Sequence, residues 1–251
     1  YKAKKALTKL SNKFGLRIAF FDGRGGPPAR GGGNTHEFYA SLDNKIKADD
    51  IQLTIQGQTI SSNFGTLDSS QYNLEQLLSS GIENQIFNPG KNNLSSNERI
   101  LMERIAEISY KTYQNFKSHP MFIPYLERMS TLPYYAKANI GSRPAKRGKS
   151  SSLKFEDLRA IPFVGSWSQL KQNVPGFFGL GAALKKLIDE GKILELKALY
   201  KNSRFFRTLI FNSMMSLSKS FFQLTAYMKE DKEFGSFWEL IYEEYLLTKK
   251  I

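Results

Sequence analysis

Between Phe21 and Gly33 the chain reads Phe21-Asp22-Gly23-Arg24-Gly25-Gly26-Pro27-Pro28-Ala29-Arg30-Gly31-Gly32-Gly33. Glycines let the backbone come close to a ligand, and Arg24 and Arg30 supply planar guanidinium forks, a combination suited to an anion. It is not a Walker loop, because no Gly-Lys-Ser/Thr follows, and it does not keep the dinucleotide spacing Gly-x-Gly-x-x-Gly. The same residues also admit a second reading, a flexible Arg-Gly-Gly segment that binds nucleic acid or nothing. Two further stretches, Gly141-Ser142-Arg143-Pro144-Ala145-Lys146-Arg147 and Leu158-Arg159-Ala160-Ile161-Pro162, place cations beside a turn or an apolar run. Either could be a solvated basic loop. Arg159 differs in bordering an apolar run, since a charge held against a core calls for an anionic partner. Together these arginines could converge on one phosphate.

The elements that must position them are partly readable. Lys2, Lys4, Lys5, Lys9, Lys13 and Arg17 come without an acidic residue, and Ala3, Ala6, Leu7 and Leu10 recur at helical spacing, so an amphipathic helix is expected up to Gly15. Leu16, Ile18, Ala19, Phe20 and Phe21 read as a short buried strand, which would put the glycine loop at the carboxyl edge of a sheet, where α/β proteins bind ligands. Ile51 to Phe64 reads as strand or hairpin. Leu74 to Gly81 is a short helix, and Ser96 to Lys117 a long one that opens with capping chemistry and sets Ile100, Leu101, Ile105 and Ile108 on one face. Gly141 to Ser152 reads as an exposed mobile loop and Arg159 to Trp167 as a strand. Helical patterns close the chain at Gly181 to Tyr200, Phe205 to Lys229 and Phe237 to Lys250. No internal repeat is visible. The fold class expected is α/β with helix dominant.

Composition narrows the chemistry. The 251 residues carry 36 Lys+Arg against 23 Asp+Glu, a formal charge of +13, with 41% hydrophobic residues, enough for a packed core. With no cysteine there is no disulfide framework, thiolate metal site or cysteine nucleophile, and a reducing, cytoplasmic setting is expected. Only His36 and His119 are available, which makes a three-histidine zinc site hard to build. No apolar run reaches the ~18 residues of a membrane span, and the first ten residues lack the apolar centre of a signal peptide. Tyr1 begins abruptly inside a helical pattern, which suggests a piece of a longer chain.

FDGRGGPPARGGG, LTIQGQ, NIGSRPAKR and LRAIPFVGSW, in this order and spacing, resemble the carboxy-terminal part of the phosphoenolpyruvate carboxylase family over nearly the whole chain. The resemblance implies late strands of a (β/α)8 barrel with extensive additional helices. Residues 1–170 would hold those strands, inserted helices and arginine loops, and 171–251 a helical region with part of an inhibitor site. It further implies a cytoplasmic homotetramer that uses Mg2+ or Mn2+ to join phosphoenolpyruvate and bicarbonate into oxaloacetate and phosphate, with no membrane or nucleic-acid partner. Carried over residue by residue, Arg24 and Arg159 become ligands of the substrate phosphate, and Arg30 the arginine that holds bicarbonate and the developing carboxyphosphate. Arg143 borders the same pocket, and Lys146 and Arg147 sit on a loop that closes over it. Lys219, in Ser218-Lys219-Ser220-Phe221, matches the lysine of a pocket for aspartate or malate that also captures Arg30. By pattern alone, Lys219 is equally a surface lysine on an amphipathic helix.

This sequence departs from the family at Asp22, where a histidine is usual, and at Ala29, where glycine is usual. An aspartate so placed could orient Arg24, or repel substrate if unpaired. The family's catalytic histidine, its acidic metal ligands and a further phosphate arginine belong to motifs upstream of this segment, and neither His36 nor His119 stands in the histidine motif. A fragment with half an active site, inactive alone, is therefore expected. The alternative from another class is a basic module for single-stranded nucleic acid, suggested by the charge, the Arg-Gly-Gly runs and the aromatics.

Overall fold

The computed structural model describes residues 1–22, 35–43, 45–46, 50–55, 57–87, 93–135, 137 and 153–251. The chain forms two units, Tyr1–Ile100 with Glu195–Asn212 and Leu101–Leu194 with Ser213–Ile251.

In the first unit the lysine-rich opening is helical, α1 (Lys2–Lys13), and ends where Gly15 takes φ 64° while Leu16 N–H returns to the Ser11 carbonyl at 2.9 Å. The face it buries carries Thr8 and Ser11, whereas Leu7 and Leu10 are exposed. A short strand, β1 (Phe20–Asp22), pairs in parallel with β2 (Ile51–Leu53) in the register Phe20 to Ile51 and Asp22 to Leu53, and α2 (Thr35–Ala40) lies between them in the chain. The expected buried strand is thus three residues long, with Leu16 and Phe21 mostly exposed.

The strand expected across Ile51 to Phe64 is confined to β2. Gly57 at φ 59° reverses the chain into α3 (Gln58–Phe64), where Ile60 and Phe64 stand four apart as a helix requires. The short helix expected at 74–81 belongs to the longer α4 (Leu67–Ile82). Its Thr66 and Ser69 form a capping box, each side-chain oxygen accepting from the other's backbone N–H at 3.3 Å. One wider helical turn follows over Glu83–Phe87. The core of this unit gathers Tyr39, Leu42 and Ile46 with Phe20, Phe38, Leu53, Leu77 and Phe205.

The remainder is helical: α5 (Ser96–Lys117), α6 (Phe122–Met129), α7 (Leu132–Tyr135), α8 (Ala160–Gln169), α9 (Leu180–Asp189), α10 (Ile193–Asn202), α11 (Arg204–Ser218) and α12 (Gly235–Lys250). The long helix matches expectation, its entry fixed by Glu98 accepting from Ser95 N–H at 2.9 Å and Ser95 Oγ at 2.8 Å; Leu101 and Ile105 are buried but Ile100 is exposed. The run expected as a strand from Arg159 to Trp167 is instead α8. A continuous apolar run carries no periodicity to separate a buried strand from a buried helix, and Pro162 falls in the first turn, where its missing N–H costs nothing. The helix expected over 181–200 is divided by Gly191 at φ 78°, and that over 205–229 stops at Ser218. There Phe221 N–H donates to the Lys171 carbonyl at 2.7 Å and Ser220 Oγ to the Gln172 carbonyl at 3.0 Å. These bonds draw the chain off the helical path into a 3-10 segment, Phe222–Glu230.

The second unit is built on aromatic packing. Phe116 stacks on Phe178 at 4.1 Å and Phe237 at 5.3 Å between ring centroids, Tyr125 on Trp167 at 5.9 Å, and Trp238 on Tyr242 at 4.9 Å. A polar network runs through this core. The fully buried Gln172 donates from Nε2 to Tyr125 Oη at 2.9 Å and Thr225 Oγ1 at 3.0 Å, and Trp238 Nε1 donates to the same threonine at 3.1 Å. At the junction of α9 and α12 a Cβ on Gly181 would lie 2.5 Å from Thr248 Oγ1, so only glycine permits this approach. Among the described residues the fold is helix-dominant α/β with one two-stranded parallel sheet, and no helix is long and apolar enough to cross a membrane.

Candidate functional site

The carboxyl end of β1, where the glycine and arginine loop departs, is a built polar cluster. Asp22 receives Lys4 Nζ on both carboxylate oxygens at 2.6 Å and Tyr39 Oη at 2.9 Å. The Lys4 and Asp22 side chains are only 21% and 14% exposed, which removes much of the water that screens a surface ion pair. The ammonium also sits 5.1 Å from the Phe20 ring centroid and 5.7 Å from that of Phe38, a cation–π contact on two sides. Helix α1 sets Lys4 on its inner face, one turn before buried Thr8, and α2 supplies Tyr39. Asp22 is therefore a paired carboxylate.

In the same unit, Arg204 spans Glu37 and Glu83. Its Nε and Nη2 donate to the two Glu37 oxygens at 3.1 Å each and its Nη1 to Glu83 at 2.9 Å. Hydrogen bonding from Arg204 holds the Glu37 carboxyl below the usual range; for the guanidinium, burial alone would lower the pKa, but the two carboxylates outweigh it. His36 lies 3.8 Å from Glu37.

In the second unit Arg159 stands at the position before α8 in extended conformation and makes no side-chain capping bond; it is half-buried, its Nε without a hydrogen-bond partner among the described residues. Lys219 follows the last residue of α11 and is not within a helix; desolvation lowers its ammonium pKa. His119 lies in the turn between α5 and α6, its Nδ1 accepting from Met121 N–H at 3.1 Å and its ring 5.0 Å from that of Phe237, a structural placement. Arg24, Arg30, Arg143, Lys146 and Arg147, and the loop expected at 141–152, lie outside the described residues. Lys4, Tyr39 and Arg204 were not singled out from the sequence. Lys4 is one of several lysines on α1, and only the fold distinguishes the one that faces β1.

Among the described residues the end of β1 holds the Lys4–Asp22–Tyr39 cluster and the start of α8 holds Arg159, each within its own unit. The profile of the family described as phosphoenolpyruvate carboxylase matches residues 1–251. The phosphoenolpyruvate carboxylase of Corynebacterium glutamicum is 34% identical over 263 residues, covering 100% of this chain and 28% of that relative. The chain belongs to the phosphoenolpyruvate carboxylase family and spans about 28% of the length of that curated relative.

Proposed function

We propose that this chain is the part of a phosphoenolpyruvate carboxylase that supplies the arginines of its active site, from the late strands of a (β/α)8 barrel (within 1–170) and the helical region beyond (171–251). The observation that carries this is the family match across the whole chain, glycine and arginine loop included. In the proposed reaction a bicarbonate oxygen attacks the phosphate, the bond between phosphorus and the enol oxygen breaks, and carboxyphosphate and an enolate result; the enolate carbon then takes up the carboxyl group, giving oxaloacetate and phosphate. Every species is densely anionic. Arg24 and Arg159 grip the phosphate in forked pairs, Arg30 holds bicarbonate and follows the charge as it passes to carboxyphosphate, and Arg143, Lys146 and Arg147 close the pocket. Lys219 serves an aspartate or malate pocket that competes for Arg30, so inhibitor and bicarbonate oppose each other reciprocally.

Mg2+ or Mn2+ belongs to the full-length enzyme under this reading. Among the described residues no three His, Asp or Glu side chains come together to hold a metal ion. The complete enzyme is taken to be a cytoplasmic homotetramer and this segment alone to be inactive. The test is bicarbonate-dependent oxaloacetate formation from phosphoenolpyruvate with magnesium, run on the full-length polypeptide, its Arg30→Ala variant and this segment. The reading expects activity only in the first, with Arg30→Ala down at least about a hundredfold, as when a charge-stabilising donor is lost. An active Arg30→Ala enzyme would overturn the role of Arg30, and an inactive but folded full-length chain would overturn the carboxylase.

A further inference from the structure

In the second unit the 3-10 segment Phe222–Glu230 and helix α12 border an open cleft of about 320 Å³, a size within the range of small-ligand sites. Its floor is aromatic. Trp238 and Tyr242, one turn apart on α12, stack at 4.9 Å between ring centroids, and Phe222 meets them at 5.9 Å and 5.3 Å. The floor is also preformed: Trp238 Nε1 donates to Thr225 Oγ1 at 3.1 Å, and Phe222 packs on Tyr245 at 4.5 Å.

The rim is charged and unbalanced. Glu239 and Glu243 line the cleft one turn apart on α12, a like-charged pair that weakens a helix unless a cation lies near. Lys229, from the 3-10 segment, brings its Nζ within 3.3 Å of Glu239 and offsets one of the two. The exposed Glu243 side chain has no ion-pair or hydrogen-bond partner among the described residues. The lining thus carries one uncompensated negative charge beside rings whose π-faces attract cations. With two carboxylates and no histidine it lacks the donor set of a metal site. An anion would meet both carboxylates, while Lys229 is already engaged by Glu239.

We propose that this cleft binds a small organic monocation, a primary ammonium on an apolar body, with the ammonium paired to Glu243 and the body laid against Tyr242 and Trp238. The site is independent of the carboxylase reading.

The test is a titration of the full-length polypeptide with phenethylamine, followed by ligand-observed NMR at neutral pH, where a primary amine is protonated, in low and high salt. Saturable binding is expected, with the neutral isostere phenethyl alcohol at least about threefold weaker. Glu243→Gln should weaken amine binding about three- to tenfold at low salt, the size of one partly screened charge contact, and by less at high salt. Ala226→Leu fills the cleft and should abolish binding of amine and alcohol alike. Both substitutions fall on exposed positions, so Tm should stay within about 2 °C of the parent and a lost affinity reads as a lost site. Phenylalanine, which adds a carboxylate to the same ammonium, should bind more weakly than the amine. Absence of saturable binding to the folded parent, unchanged affinity in Glu243→Gln, equal binding of the alcohol, or tighter binding of phenylalanine would each overturn the proposal.

Discussion

Helix α9 begins without a side-chain cap of its own and without an acidic residue in its first turn. Glu244, from α12, supplies what is missing: its Oε1 accepts from Gly179 N–H at 2.9 Å, from Ala182 N–H at 3.3 Å and from Thr248 Oγ1 at 3.3 Å. Glu244→Ala orphans a buried donor, about 1–3 kcal/mol, and strips buried methylene packing worth about 1 kcal/mol, roughly 2–4 kcal/mol in all. At about 2–4 °C per kcal/mol for a chain of this size, Tm should fall by roughly 5–15 °C. Glu244→Gln keeps an Oε1 acceptor and gives up only the charge. Burial raises the Glu244 pKa despite the donors around it, so the folded state holds this proton more tightly than the unfolded one. Ionisation therefore costs stability as pH rises from the ordinary carboxylate value through the raised one. The Tm of Glu244→Gln minus that of the parent should climb with pH across that window and then level off. Thermal unfolding followed by circular dichroism over a pH series reads both effects. Equal losses in the Ala and Gln variants, or a difference that falls with rising pH, would refute the reasoning.

Other expectations follow from single contacts. Gly181→Ala drives a methyl into Thr248 and should cost about 1–3 kcal/mol in thermal or urea unfolding, as overpacking does; a parallel Gly191→Ala change meets open space but a positive φ, and should be milder. Gln172→Leu leaves the Tyr125 and Thr225 hydroxyls without their amide partner and should lower stability by about 1–3 kcal/mol, read by urea unfolding at constant m-value. Arg204→Met releases Glu37 and Glu83, and the Glu37 carboxyl, whose pKa Arg204 depresses, should titrate closer to its ordinary value, a shift visible by NMR.

Much of the helical content was legible because caps and periodicity are local. The Ser96-Asn97-Glu98 opening marked the start of α5, with Ser95 the residue that actually bonds Glu98, and Gly15 ends α1 where its backbone requirement predicts. The run from Arg159 to Trp167 was not legible, because an all-apolar stretch looks the same whether it is wound or extended, and tertiary surroundings choose. The break after Ser218 depends on carbonyls of Lys171 and Gln172 some fifty residues earlier in the chain, which no window of local sequence contains. For the site, glycine and arginine composition pointed to an anion, and Asp22 stood out as a departure. Its partners Lys4 and Tyr39 come from 18 residues before and 17 after, and nothing in their own neighbourhoods marks them.

The chain has two tryptophans, Trp167 and Trp238, and both lie buried in the second unit, one fully enclosed by rings and the other with its indole N–H held by Thr225. Selectively excited indole emission therefore reports on that unit alone, and the first unit is dark in the same channel. Far-ultraviolet dichroism, which counts helix in both, supplies the missing half. Superimposable melts by the two optical probes mean that the units lose structure as one cooperative system; a dichroic loss that precedes the emission change means that the first unit, with the lysine and aspartate at its strand end, lets go first.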